Sequence, residues 1–407
     1  MRILIITQWF DPEPTFKGLV FARALQAKGH NVEVITGFPN YPGGKVYAGY
    51  QIKWRQVEMI DGIRINRVPL YPSHDGSALK RIFNYASFAI SSCLYGIFGV
   101  RKPDVVYVYH PPLTVGLSAS IVSLFRRVPF IYDIQDLWPD TLAATGMINN
   151  QRALSIVSSL CSFVYKSAAK LVVLAPGFKE KLIERGVAPD KIELIYNWCD
   201  EQALQGIDLG NLHDIRSNGR FNIVFAGNMG KAQGLDSVLD AAKLVLSEAP
   251  QVLLVMVGGG LEVTRLKKRA EDEKITNIIF LPQMPMSQIG RVLAAADVLL
   301  VHLKDDPLFS ITVPSKTQAY LAAGKPILMA VRGDAADLVC EAQAGICVSP
   351  EDVKAIAQTF VDFSKKSKDE LSKMGLNGAF FYQQNLSLEV GCRKFIDVFE
   401  NVLEKNS

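Results

Sequence analysis

No pair of cysteines stands in a C-x-x-C spacing, and the six that occur (Cys93, Cys161, Cys199, Cys340, Cys347 and Cys392) are scattered through mostly apolar surroundings. That pattern argues against a zinc site or a dithiol redox motif and points to reduced, partly buried thiols in a cytoplasmic protein. The five histidines are equally dispersed. Neither H-E-x-x-H nor a D-x-D pair of the expected type occurs, so no metal is expected. Two phosphate-binding signatures are also missing, G-x-x-x-x-G-K-[ST] and G-x-G-x-x-G. Net charge is only +4 over 407 residues. That is too little to argue for nucleic acid, although it suits an anionic ligand or an anionic membrane surface. The start, Met-Arg-Ile-Leu-Ile-Ile-Thr, does not read as a signal peptide, because its apolar run is short and Asp11-Pro12-Glu13-Pro14 follows closely.

Long hydrophobic runs are nearly absent. The exception is Phe83 to Val100, which carries no charge and is bounded by Lys80-Arg81 and Arg101-Lys102. It approaches the length of a spanning helix, about 18 residues at the shortest, but Asn84, Ser87, Ser91 and Ser92 dilute it. A buried or interfacial helix is expected. The basic flanks fit a surface leaning on anionic lipid, and a core helix ending in solvated charges is the competing reading.

What is present is a globular composition, 49% hydrophobic and 21% charged, in a chain long enough for two or three domains. Strand-like runs alternate with helical patterns. One series comprises Arg2–Thr7, Val32–Thr36, Asp104–Tyr109, Pro129–Asp133, Leu171–Ala175 and Ile192–Tyr196. A second comprises Asn222–Ala226, Val252–Val257, Asn277–Leu281, Asp297–Val301, Pro326–Ala330 and Gly345–Val348. Many are unbroken Val/Ile/Leu runs, as parallel strands buried on both faces require. Leu235, Val238, Leu239 and Ala242 recur at helical spacing, and the tail 386–404 reads as a helix with Val390, Phe395, Val398, Phe399 and Val402 on one side. The polar stretch Asp200 to Arg220 reads as an interdomain connection. The expected fold is therefore α/β, with two Rossmann-like domains at 1–200 and 201–385, facing each other across an interdomain cleft, because such sheets bind ligands outside the carboxyl ends of their strands.

Several segments fall at such strand ends. Pro314-Ser315-Lys316-Thr317-Gln318 opens a short helix that ends at Gly324-Lys325-Pro326. A lysine in a first turn is unfavourable by roughly 0.3–1 kcal/mol unless an anion lies nearby. Lys316 is thus either an anion ligand or a solvated lysine beside an ordinary Ser315/Gln318 capping box. Ala226-Gly227-Asn228-Met229-Gly230-Lys231 is a strand, a Gly-rich turn and a helix start, either an anion site or a tight turn. Gln135-Asp136-Leu137-Trp138-Pro139-Asp140 places carboxylates at a strand end, for acid–base work, for sugar hydroxyls or for helix capping. His110 ends another strand, as a catalytic group or a structural hydrogen-bonder. The loops Trp9 to Gly18 and Gly37 to Gly44 are aromatic and Pro-rich, as carbohydrate stacking or plain turn chemistry would have them.

In order and spacing these pieces, together with Gly29-His30-Asn31-Val32, Phe38-Pro39-Asn40-Tyr41-Pro42 and Tyr196-Asn197-Trp198, resemble the family-4 retaining glycosyltransferases of the GT-B fold over nearly the whole chain. The most similar subgroup builds bacterial O-antigen, capsule and other surface polysaccharides. The resemblance implies that the second domain binds a nucleotide sugar and that the C-terminal helix, 386–407, packs back on the first domain. It implies a UDP-sugar donor, with N-acetylated amino or deoxyamino hexoses as candidates. The implied acceptor is a polyprenyl-diphosphate-linked saccharide at the inner face of the cytoplasmic membrane, with no metal and no other cofactor. By the same resemblance Gly227, Asn228 and Lys231 approach the diphosphate or sugar, and Ser315 and Lys316 contact the diphosphate. Gln318 meets the ribose, and Asp136 and His110 align the acceptor. The chain departs from the family pattern at three points. Ser310 and Gln318 occupy the Glu-x7-Glu positions, Gln233 stands for the usual lysine near Lys231, and Gln135 stands for the histidine before Asp136. A non-transferring GT-B enzyme such as a nucleotide-sugar epimerase is one alternative, and Ser310, Gln318 and Gln135 make a nucleotide-sugar-binding pseudoenzyme another.

Overall fold

The computed structural model describes residues 1–73, 78–144, 146–204 and 219–405. Two compact units divide the chain, Met1–Tyr196 with Gly391–Ser407, and Asn197–Val390. Most of the expected connection, residues 205–218, lies outside the described residues. Its first residues belong to the second unit. The Tyr382 hydroxyl accepts from the Cys199 N–H (3.2 Å) and donates to the Glu201 carboxylate (2.8 Å), which also accepts from the Leu388 N–H.

The first unit is built on β1 (Arg2–Ile6), β2 (Asn31–Gly37), β3 (Gln56–Ile60), β4 (Ile63–Val68), β5 (Val105–Tyr109), β6 (Phe130–Ile134), β7 (Lys170–Val173) and β8 (Ile192–Leu194). Its helices are α1 (Leu19–Ala27), α2 (Ala78–Phe98), α3 (Leu113–Arg126), α4 (Asp140–Ala144), α5 (Gln151–Ser167) and α6 (Pro176–Glu184). The strands form one sheet in the order β3-β4-β2-β1-β5-β6-β7-β8, parallel throughout except for β3 against β4. Every residue of β5 and β6 is buried, which is why their sequences run apolar without alternation. The β3–β4 hairpin is absent from the sequence expectations. Its strand β3 alternates partly buried and exposed residues at the sheet edge, and Asp61-Gly62 turns the chain with positive φ at both positions.

The second unit contains β9 (Phe221–Ala226), β10 (Val252–Val257), β11 (Ile278–Leu281), β12 (Val298–His302), β13 (Ile327–Ala330) and β14 (Gly345–Cys347). Its helices are α7 (Leu235–Leu244), α8 (Val263–Asp272), α9 (Met286–Ala295), α10 (Pro307–Ser310), α11 (Ser315–Ala322), α12 (Asp334–Glu341), α13 (Val353–Lys365) and α14 (Lys368–Asn385). The sheet is fully parallel in the order β11-β10-β9-β12-β13-β14, the doubly wound arrangement whose order reverses between β9 and β12. In the first unit the reversal falls between β1 and β5. Leu235, Val238, Leu239 and Ala242 of α7 are all buried, as their spacing requires. The last helix, α15 (Leu388–Glu404), brings Phe395 against Phe21 and Tyr107 of the first unit, with ring centroids 5.1 and 5.3 Å away.

Candidate functional site

In the second unit the chemistry gathers at the carboxyl end of β9, beside the β9/β12 reversal. Tyr320 of α11 fixes the geometry. Its hydroxyl accepts from the Ala226 N–H (2.9 Å) and donates to the Ala226 carbonyl (3.1 Å), clamping the helix to the last residue of the strand. Lys316 lies one helical turn earlier, on the same side of α11. Its Nζ sits 3.7 Å from the centre of the Phe225 ring. A Cβ on Gly227 would come within 3.3 Å of that nitrogen. Although part of the lysine remains accessible, the ammonium itself is buried and has no hydrogen-bond partner. Burial lowers its pKa from 10.5 to about 7. An unpaired buried cation at a helix start is costly, and an anion bound there would offset that cost.

The floor of this site is main chain. Gly227 has φ 141° and donates its N–H to the Val257 carbonyl. Gly258, with φ 143°, packs so tightly that a Cβ there would lie 2.0 Å from the Gly227 oxygen. Only glycine allows these two turns to approach in this way. Asn228 is exposed on the same turn. Lys231 is exposed too and lines a recess with Asp236, Glu262 and Arg265. Gln233 is occupied: its side-chain oxygen accepts from the Gly230 N–H at 2.9 Å. His302 of β12, wholly buried, meets the Gln233 carbonyl through Nδ1 and takes the Glu351 N–H at Nε2.

One local expectation is corrected. Ser315 is not the N-cap and forms no capping box with Gln318. Pro314, in extended backbone, takes the cap position, Ser315 is the first helical residue, and no side chain caps the helix. The Gln318 amide nitrogen instead donates to the Pro314 carbonyl (2.9 Å) and the Ser315 carbonyl (3.1 Å), in the orientation its hydrogen-bonding surroundings require. Gln318 is buried, and Ser315 is exposed. The Ser310 hydroxyl is spent on the Pro307 carbonyl.

In the first unit the strand ends β1, β5 and β6 carry the polar groups. Asp133, fully buried in β6, accepts from Lys17 Nζ (2.5 Å), the Tyr107 hydroxyl (2.5 Å) and Gln135 Nε2 (2.6 Å). The sequence alone does not single out this cluster, because Lys17 and Asp133 are 116 residues apart. Asp136 sits just beyond it, with burial raising its pKa. Burial raises the pKa of Tyr85 on α2, and Trp9 stacks on Tyr41 with centroids 4.4 Å apart. His110 is buried, its ring edge-on to Tyr132 and Trp138, and burial lowers its pKa to about 3. It therefore remains a neutral imidazole throughout the working pH range. Asp140 is ion-paired with Arg185. Glu13 accepts from the Phe10, Asn40 and Tyr41 N–H groups and so joins the first two loops.

Comparison with known proteins decides the class. Residues 19–198 match the model of the glycosyl transferase 4-like domain, and residues 214–379 match that of glycosyl transferases group 1. The chain belongs to the family-4 glycosyltransferases. The transferase is 27% identical over 373 residues to WcaI of Escherichia coli, a protein named for colanic acid biosynthesis, with 88% of this chain and 90% of that one aligned. Among solved structures it is similar to a sucrose-phosphate synthase from Thermosynechococcus elongatus, with TM-score 0.73, 15% identity and 99% of each chain covered. It is also similar to HepE of Anabaena solved with UDP-glucose, with TM-score 0.70, 16% identity, and 98% of this chain and 100% of that one covered. The fold is that of the GT-B glycosyltransferases. Among the described residues no group of His, Cys, Asp and Glu is arranged to hold a metal ion.

Proposed function

We propose that this transferase moves a sugar from a UDP-sugar, with retention of anomeric configuration, to a polyprenyl-diphosphate-linked saccharide during surface-polysaccharide biosynthesis. The unpartnered Lys316 ammonium beside the Gly227 turn carries this reading. The UDP-glucose in the HepE structure and the polysaccharide role in the name of WcaI support it.

In this reading Lys316, the first-turn amides of α11 and the Gly227–Asn228 backbone stabilise the diphosphate as the glycosidic bond breaks, by preorganised electrostatics. Gln318, buried with its amide turned to its own helix, is left out of the ribose contact that the resemblance implies. Lys231 adds positive potential, and Ser315 offers its hydroxyl at the helix start. Asp136, whose carboxyl pKa is raised by burial, and the neutral His110 hydrogen-bond the acceptor. The donor sugar is an N-acetylated amino or deoxyamino hexose. The chemistry uses no metal.

Calorimetry with UDP and with uridine tests the core of this reading. The wild type is expected to bind UDP more tightly, and Lys316→Ala to lose most of that difference, a loss of roughly 10-fold or more for a charge-assisted contact. Equal UDP affinity in the variant would remove Lys316 from the donor site. The anomeric configuration of the product, read by NMR, decides retention.

A further inference from the structure

The first unit exposes apolar side chains in an organised way. On α2, Leu79, Ile82, Phe83, Ile90, Leu94 and Phe98 are exposed, most of them at four-residue steps along one stripe. On α3, Ile121, Leu124 and Phe125 are exposed at i, i+3 and i+4, and on α5 Ile156, Leu160 and Phe163 are exposed at i, i+4 and i+7. Phe98 is 81% exposed and Leu124 76%. The other sides of the same helices are buried, with Phe88 and Ser92 on α2, Val115 and Val122 on α3, and Cys161 and Val164 on α5. Helix α3 packs against both α2 and α5, so the three helices that carry the stripes are neighbours.

The charge on these helices is one-sided. None of the three contains an Asp or a Glu. They carry Lys80, Arg81, Arg126, Arg152 and Lys166, and Arg101, Lys102 and Arg127 follow at their ends. Between residues 76 and 179 the acids are Asp104, Asp133, Asp136 and Asp140. Asp104 accepts the Arg2 N–H, Asp133 is buried on Lys17, Asp136 is mostly buried, and Asp140 pairs with Arg185. The exposed pair Leu376 and Phe380 in the second unit shares its helix with Asp369 and Glu370, so exposure there lacks this charge bias.

We propose that the outward face of α2, α3 and α5 is an interfacial docking surface for an anionic lipid bilayer. Apolar stripes enter the boundary between headgroups and acyl chains, and the basic residues meet lipid phosphates. No helix among the described residues is long and apolar enough to cross a membrane, so the attachment is peripheral. The surface goes beyond the donor-site reading and stands independently of it.

Flotation of the full chain with phosphatidylglycerol/phosphatidylcholine vesicles, and with phosphatidylcholine vesicles alone, tests this. The protein is expected to float with the anionic vesicles and to be released as salt rises above about 0.1 M, where the Debye length is near 10 Å. Phe98→Asp/Leu124→Asp is expected to reduce the floated fraction roughly tenfold or more, and Phe380→Asp to leave it unchanged. Circular dichroism and UDP affinity, expected to be unaltered in both variants, separate this surface from folding and from the donor site. Two results overturn the proposal: failure of the wild type to float with anionic vesicles at low salt, or flotation of the double variant at the wild-type level. A dimeric wild type that does not float, turned monomeric by the double variant, assigns the face to self-association instead.

Discussion

Among the described residues, Lys17 in the first unit and Lys316 in the second both bury their ammonium groups, and the surroundings treat them differently. Lys17 meets a carboxylate, Asp133, at 2.5 Å, and the pair is fully shielded from solvent. Lys316 meets an aromatic face and glycine backbone and has no acceptor. Burial lowers the pKa of both, but for Lys17 the Asp133 charge and hydrogen bond oppose the shift, whereas for Lys316 no opposing group acts. A paired buried charge is a scaffold element, and breaking it leaves its partner stranded. An unpaired one is a standing cost that an anionic ligand can offset. The first lysine holds a loop to a strand, and the second, in the proposed reading, waits for the donor's diphosphate.

The largest effect that sharpens this contrast is expected at the scaffold. Lys17→Met leaves Asp133 uncompensated and should cost about 3–5 kcal/mol in urea unfolding. A loss below about 1 kcal/mol would mean that the pair is not integral to the first unit. Lys316→Met should behave in the opposite sense, keeping or gaining unfolding free energy in the absence of ligand while losing about 1.5–3 kcal/mol of UDP affinity. A clear destabilisation of unliganded Lys316→Met would erase the distinction between the two lysines.

The pH dependence has a definite sign. The folded pKa of Lys316, about 7, lies below the ordinary value of 10.5. Below about pH 7 both folded and unfolded states are protonated, and the folded state bears the full cost. Between these two values the unfolded state holds more protons, so stability rises with pH, and above about 10.5 the cost is gone. The wild type should therefore gain on Lys316→Met across that window in thermal melts. UDP affinity should fall over the same range, because the bound anion prefers the protonated amine. A difference curve flat with pH would show that Lys316 titrates normally.

Smallest is Gln318→Leu, which removes a donor from the Pro314 and Ser315 carbonyls without burying a charge. It should cost roughly 1 kcal/mol in thermal unfolding. No loss at all would mean that the amide is not committed to its own helix.

Much of the architecture was legible. The Val/Ile/Leu runs located twelve strands within a residue or two, because two-sided burial leaves a plain apolar imprint. The β3–β4 hairpin escaped because Gln56–Ile60 lies at an edge with mixed polarity, although Asp61-Gly62 was a readable turn signal. The Ser315 cap failed because proline fills the same position without a side-chain acceptor. At the site, Lys316 and Gly227 could be named from local pattern. The Lys17–Asp133–Tyr107 cluster and the Tyr320 clamp could not, since each joins residues more than 90 apart in the chain for at least one contact. The apolar stripes of α3 and α5 were hidden for another reason. Outward apolar residues at helical spacing look the same in a sequence as inward ones until the sheet defines which side is in.

The glycine turns after β9 and β10 have an evolutionary consequence. Where Gly227 and Gly258 nearly touch through main chain, there is no side chain to exchange, and any added Cβ on Gly258 strikes backbone. In the proposed reading such a floor, which substitution cannot retune, would grip a handle common to many donors and leave the choice of sugar to what surrounds it. Donor choice in that reading falls to the side chains around it, of which the exposed Asn228 is one.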